Sequence, residues 1–254
     1  MGSVKRGKDS TDRASRPSKA VPSVWIFTEG ALTEPQYIDI VRGLRDPGIR
    51  LAVHIANDER TNGGTKGPQR PTHARKPLDL LDQALAKLRE ENRKARREKW
   101  GSPPKGVDRW TTVWCLFDRD QHEGVDEVAR VAKKMEKDGE GLRIAYSHPC
   151  FELWRLLHHQ DFTSSFGGVC DEATKKLPFV TPRTSKEEAK VVLPEQILKR
   201  GGPGRTDGSD GFAKAKARAK KINAQYGEHH LYSKRDPYTD VWRFVEEGLQ
   251  VTDY

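Results

Sequence analysis

The apolar positions of the chain follow two rhythms, one of strands and one of helices. Val113, Trp114, Cys115, Leu116 and Phe117 form an unbroken apolar run, the pattern of a strand covered on both faces of a parallel sheet. Asp118 and Asp120 follow at its carboxyl end. Residues 23–28 make a similar short run that closes on Glu29 and Gly30. Thr33 then reads as an N-cap, with Pro35 in the first turn and Gln36 in the capping-box position. Tyr37, Ile38, Val41 and Leu44 repeat at helical spacing behind them. A second strand is expected over 49–55. Leu78, Leu81, Leu85 and Leu88 predict an amphipathic helix that runs on into a mixed, mainly basic stretch to residue 97, and Gly101-Ser102-Pro103-Pro104 stops it. Val125, Val128, Ala132 and Met135 mark the next helix, and residues 142–146 the fourth strand.

Strands that alternate with helices imply right-handed crossovers and an α/β fold, a mainly parallel sheet flanked by helices. One domain is expected over 23–254. Gly, Pro, Thr and Lys are frequent near 57–77 and 162–211, which read as loop insertions. Residues 1–22 carry six basic and two acidic side chains and almost nothing to bury, the composition of a disordered basic arm.

The chain has 254 residues, 34% of them hydrophobic, enough to build a core. Lys and Arg number 46 against 37 acids, a net charge of +9, which favours a polyanionic partner such as nucleic acid. Cys115, Cys150 and Cys170 are odd in number and lack CxxC spacing, so neither a disulfide framework nor a structural zinc site is expected, and a reducing cytoplasm fits best. No apolar run approaches the roughly 18 residues of a membrane span, and the basic start has no apolar signal core.

In open α/β sheets the chemistry lies beyond the carboxyl ends of the strands. Glu29 and the pair Asp118 and Asp120 occupy such ends. If the third strand stays extended for one more step, residues i and i+2 project to one side, and neighbouring strands about 5 Å apart would bring all three carboxylates together. Oxygen ligands of this kind suit Mg²⁺ or Mn²⁺. Glu34, at the helix start, and Glu152, past the fourth strand, are candidates to join them. For any one of these residues the plain alternative is a turn former or helix cap.

Four segments, VWIFTEGALTEPQY (24–37), VWCLFDRDQH (113–122), AYSHPCFELWRLLHH (145–159) and DPYTDVWRFVEE (236–247), together resemble the successive motifs of the RloB-like family. That resemblance implies a TOPRIM-type fold and a role in prokaryotic antiphage defence. It puts the motif glutamate on Glu29 and the DxD on Asp118 and Asp120. Similarity to related TOPRIM nucleases adds Glu34 and Glu152 as ligands of a second cation. The implied activity is that of a Mg²⁺- or Mn²⁺-dependent endonuclease on DNA or on RNA, transfer RNA included. His148-Pro149-Cys150 stands where the family has Asn-Pro-Cys; His148 is a possible metal or phosphate contact, with a structural role as the alternative.

The basic run 213–221 resembles the family's late basic helix, which selects Lys220 to stabilise charge on the reacting phosphate. Lys214 and Lys216 beside it, and Arg93, Arg96 and Arg97 on the earlier helix, are candidate phosphate contacts, with a solvated helix face as the alternative reading. The glycine-rich segments at 63–67 and 201–204 lack P-loop spacing, so energy, if needed, would come from an ATPase partner of the RloA type that the resemblance implies. Two other classes fit the same residues: a non-catalytic nucleic-acid-binding module and a primase-like nucleotidyl transferase.

Overall fold

A computed structural model describes residues 20–56, 76–105, 107–120, 122–199 and 209–254. Most of the expected basic arm, most of the first insertion and residues 200–208 of the second lie outside the described residues. Five strands form one sheet in the order β2-β1-β3-β4-β5: β1 (Ser23–Thr28), β2 (Ala52–Ile55), β3 (Thr111–Asp118), β4 (Leu142–His148) and β5 (Tyr238–Thr239). The first four are parallel, and β5 adds a short antiparallel edge against β4. The sequence pattern of β5 is too short to announce a strand, because two residues carry no alternation to read.

The unbroken apolar run of β3 has the expected cause. Trp114 and Leu116 enter the core on one face of the sheet, while Val113, Cys115 and Phe117 enter the core on the other. Helices α2 (Pro77–Arg97) and α3 (Val125–Lys137) cover the second face through Leu80, Leu81, Ala84, Leu88, Val128 and Ala132. The first face is covered by α1 (Thr33–Arg42), α4 (Glu152–Leu157) and α7 (Gly211–Asn223), which are introduced with the short α5 (Cys170–Thr174), α6 (Lys186–Lys190) and α8 (Val241–Arg243). No helix among the described residues is long and apolar enough to cross a membrane.

Three local expectations need correction. Thr33 is the first residue of α1 rather than its cap; its hydroxyl donates to the Lys190 carbonyl (3.0 Å), and Gln36 accepts from the Val192 N–H (2.9 Å) instead of closing a capping box. Both side chains are drawn away by residues more than 150 positions on, a tertiary contact that local spacing does not encode. Leu44 lies beyond the helix and is exposed, as is Leu78, so the buried stripe of α2 runs through Leu80, Leu81, Ala84 and Leu88. Third, Cys150 and Cys170 are joined in a disulfide with Cα atoms 5.5 Å apart, and only Cys115 is free. The described part of the second insertion folds back onto α4 and buries Phe166, Ala173, Leu177, Ala189 and Val192, which brings Cys170 to Cys150.

Candidate metal centre

Parallel pairing puts β1 beside β3, with Thr28 opposite Leu116, and β3 beside β4, with Asp118 opposite Ser147. Their carboxyl ends therefore open onto one place. Glu29 leaves β1 with its backbone N–H donating to the Leu116 carbonyl (3.0 Å), and its Oε2 accepts from the Asp118 N–H (3.1 Å). One carboxylate thus ties together two strand ends. Its other oxygen, Oε1, is hydrogen-bonded to Nε2 of His122 (2.7 Å).

Glu34 reaches the same place from the first turn of α1 and is only 3% exposed. Its Oε1 accepts from the Gly30 N–H (3.0 Å). A Cβ at residue 30 would stand 1.9 Å from Glu34 Oε2, so any other residue there would displace this carboxylate. Glu152, the first residue of α4, is buried as well. Its carboxylate lies 3.9 Å from Nη1 of Arg155.

Electrostatics show that these groups share one field. Burial raises the Asp118 carboxyl well above its ordinary range, and Glu34, Glu29 and Glu152 raise it further; the Phe151 N–H works against them. Glu34 is pushed up to about 7, first by burial and then by Glu152 and Glu29. Burial also raises Glu29 and Glu152, the latter opposed by Arg155 and Lys190. In each carboxyl desolvation outweighs the hydrogen bonds that favour the anion. Arg155 is wholly buried and fully engaged at its ends, donating to the Ala189 and Val191 carbonyls (2.6 and 2.8 Å) and to Gln196 Oε1 (2.9 Å). Burial lowers it to about 10, so it remains a cation at neutral pH.

The sequence candidates separate into groups. Glu29, Glu34, Asp118 and Glu152 converge. Asp120 does not continue the strand: its φ of 33° is left-handed, it is exposed, and among the carboxylates it is felt by Glu29 as the smallest of several influences. The premise of one more extended step fails there, and Asp120 belongs to the rim. Lys220 rests over the Trp242 ring (4.7 Å), and Lys216 pairs with Glu246; the cation beside the carboxylates is Arg155, and exposed Lys190 is felt by Glu152 as the smallest of its influences. Lys214, Arg93, Arg96 and Arg97 are exposed. His148 is buried, with Nδ1 3.3 Å from the Tyr146 hydroxyl, a packing role beside the site.

His122, Arg155 and Lys190 escaped sequence reasoning. His122 stands two residues past the DxD and Arg155 one turn after Glu152, so both signals were within quoted motifs. Lys190 arrives from α6, and no local pattern announces it.

The donor set suits a hard divalent cation. Its atoms are oxygens, its carboxyls are raised by burial, and Asp118 and Glu34 are raised further by their carboxylate neighbours. It is an open arrangement. Among the described residues the one group of three whose ligand atoms all lie within 4.8 Å of one another is Cys150, Glu152 and Cys170, and its two sulfurs are bonded to each other rather than available as thiolates.

No curated protein and no solved structure matches the chain. The model of the family described as RloB-like protein matches residues 24–247, most of the length and all four motif segments, and the chain therefore belongs to the RloB-like family.

Proposed function

We propose that the protein is a metal-dependent endonuclease of TOPRIM type that cleaves phosphodiester bonds in nucleic acid. The observation that carries this reading is the gathering of Glu29, Glu34, Asp118 and Glu152 at the carboxyl ends of β1, β3 and β4, where Glu29, Glu34 and Glu152 raise Asp118 and where Glu152 and Glu29 raise Glu34. Mg²⁺ or Mn²⁺ would be held by these carboxylates, with Asp120 at the rim. A cation so bound supplies a water of lowered pKa and neutralises charge on the phosphoryl oxygens.

The residues themselves divide the remaining work. Glu29 accepts a proton at Oε1, where His122 Nε2 already makes its hydrogen bond, so the pair holds a proton close to the reacting phosphate. Arg155 opposes the rise that burial imposes on the Glu152 carboxyl and, through its carbonyl contacts, anchors α4 to the segment that carries Lys190. Lys190, an exposed cation within electrostatic range of Glu152, would meet phosphate charge. Net charge of +9 and the exposed Arg93, Arg96 and Arg97 support a polyanionic substrate. Family membership supports an effector role in prokaryotic antiphage defence, with an ATPase partner of the RloA type as the family resemblance implies.

The test is incubation of the purified protein with labelled DNA, messenger RNA and transfer RNA in Mg²⁺, Mn²⁺ or EDTA, with and without the ATPase. Cleavage of at least one substrate that EDTA abolishes is expected. Incorporation of nucleotides without cleavage would replace the nuclease with a primase-like transferase.

A further inference from the structure

At the opposite end of the sheet, where the parallel strands begin, the chain forms a second concave surface. A cavity of about 700 Å³ is lined by residues that precede β1, β2 and β3, among them Pro22, Ile49, Arg50 and Trp110, and by the segment after α2, with Lys99, Trp100 and Lys105. Along β1 this lies about 20 Å from the carboxylates, six residues at roughly 3.3 Å each. It is a separate place.

Two features of this cavity point to one kind of ligand. Trp100 and Trp110 stand edge to face with ring centroids 5.4 Å apart, and both are only partly buried. Each indole N–H is already taken: Trp100 Nε1 donates to Glu98 Oε2 (2.9 Å) and Trp110 Nε1 to the Gly101 carbonyl (2.8 Å). The rings are thereby held in place, and what they have left to offer is the part of their π faces that neither the other ring nor Lys94 covers. The charge is the second feature. Arg50, Lys99 and Lys105 line the cavity without a carboxylate among the described lining residues, Lys94 lies 5.7 Å over the Trp100 ring, and exposed Arg93, Arg96 and Arg97 extend the positive surface along α2. Aromatic faces within a cationic groove are the physical requirement for stacking unpaired bases while holding their phosphates. A duplex, whose bases are stacked on each other, presents no free face to them.

We infer that the cavity of Trp100 and Trp110 is a binding site for unpaired nucleotides, remote from the cleavage centre. The inference rests on the nucleic-acid reading above and narrows it: the substrate carries a single-stranded stretch, a loop or an end, that anchors at the amino side of the sheet while another part reaches the carboxylates. A short oligonucleotide fills the cavity without being cut. A structured substrate reaches both places.

The test is fluorescence anisotropy of a fluorescein-labelled 8-nucleotide oligouridylate and of a blunt 20-base-pair RNA duplex, in EDTA so that neither is cleaved. Trp100→Leu with Trp110→Leu is expected to weaken oligouridylate binding at least about tenfold and duplex binding less than about twofold. Lys99→Gln with Lys105→Gln changes only exposed side chains, so folding is not at issue. This pair should flatten the salt dependence of oligouridylate binding by about 1.4 in log–log slope. Unchanged oligouridylate binding in both variants would overturn the inference and leave the cavity to an apolar small molecule or a protein partner. Equal losses on single strand and duplex would overturn it as well. If the wild type cleaves nothing under any metal condition yet the variants lose oligouridylate binding, the nuclease reading fails and the cavity stands. If the wild type cleaves and the variants bind as it does, the reverse holds.

Discussion

Glu34 illustrates how one buried carboxylate couples burial to metal and to pH. Its carboxyl, held at about 7, binds a proton more tightly in the folded chain than the usual value near 4.5 in the unfolded one. An acid raised in this way stabilises the fold fully at low pH relative to its ionised form. That contribution is lost as pH rises from about 4.5 to about 7, at a cost on the order of 3 kcal/mol. Glu34→Gln keeps the acceptor for Gly30 and removes the charge. At pH 8 without metal the variant should therefore melt above the wild type, with no such gain at pH 4.5. Mn²⁺ should raise the wild-type melting temperature at pH 8 and raise that of the variant much less, because a proton and a cation compete for the same oxygens. Thermal melts at the two pH values check both signs. At this scale the sequence was informative wherever a strand end exposes a carboxylate, as at Glu29 and Asp118. It misled at Asp120, since a left-handed residue after a strand leaves no periodic trace.

Among the elements, β1, α1, β3, α3 and β4 were legible because two-sided burial and helical stripes repeat along several residues. Element ends and long-range partners were not. Thr33 and Gln36 have the chemistry of caps, yet they serve the Lys190 and Val192 backbone, and α6 brings exposed Lys190 within electrostatic range of Glu152 from a segment that reads as a loop. This placement separates two lysines. Lys190→Gln should slow cleavage about a hundredfold, the scale of removing one group that meets transition-state charge, whereas Lys220→Gln, which only frees the Trp242 face, should change the rate less than about threefold. Single-turnover rates under saturating enzyme distinguish them; equal losses would return Lys220 to the site. The disulfide is a further element-scale feature that cysteine spacing did not disclose. Closing a loop with a separation of 20 residues is worth about 3 kcal/mol, so reduction should lower the melting temperature by roughly 6–12 °C. Thiol titration of the denatured, unreduced protein should find one free cysteine; three would contradict the pairing.

For the whole molecule, charge and topology assign different ends to different work. The carboxylates converge where the parallel strands finish, and the cationic, aromatic surface lies where they begin. The sequence run 1–21, with six basic and two acidic residues, supplies four of the chain's nine net positive charges. If these contact phosphates, deleting residues 1–21 should flatten the salt dependence of nucleic-acid binding without altering the preferred substrate, and an unchanged slope would make that segment dispensable for binding. The central claim concerns the other end of the sheet and is tested most directly at Glu29, the carboxylate that joins β1 to β3. A group that positions a cation and holds a proton acts chiefly in the transition state, while substrate is gripped by Lys and Arg, so its loss should lower turnover far more than affinity. The measurement is a cleavage time course in Mn²⁺ beside a gel-shift titration in Ca²⁺, for wild type and Glu29→Gln. The account predicts that Glu29→Gln binds nucleic acid at least as tightly as wild type and cuts at least about a hundredfold more slowly. Equal cutting by the two proteins, or equal binding with no cutting by either in any metal and with any partner, would contradict it.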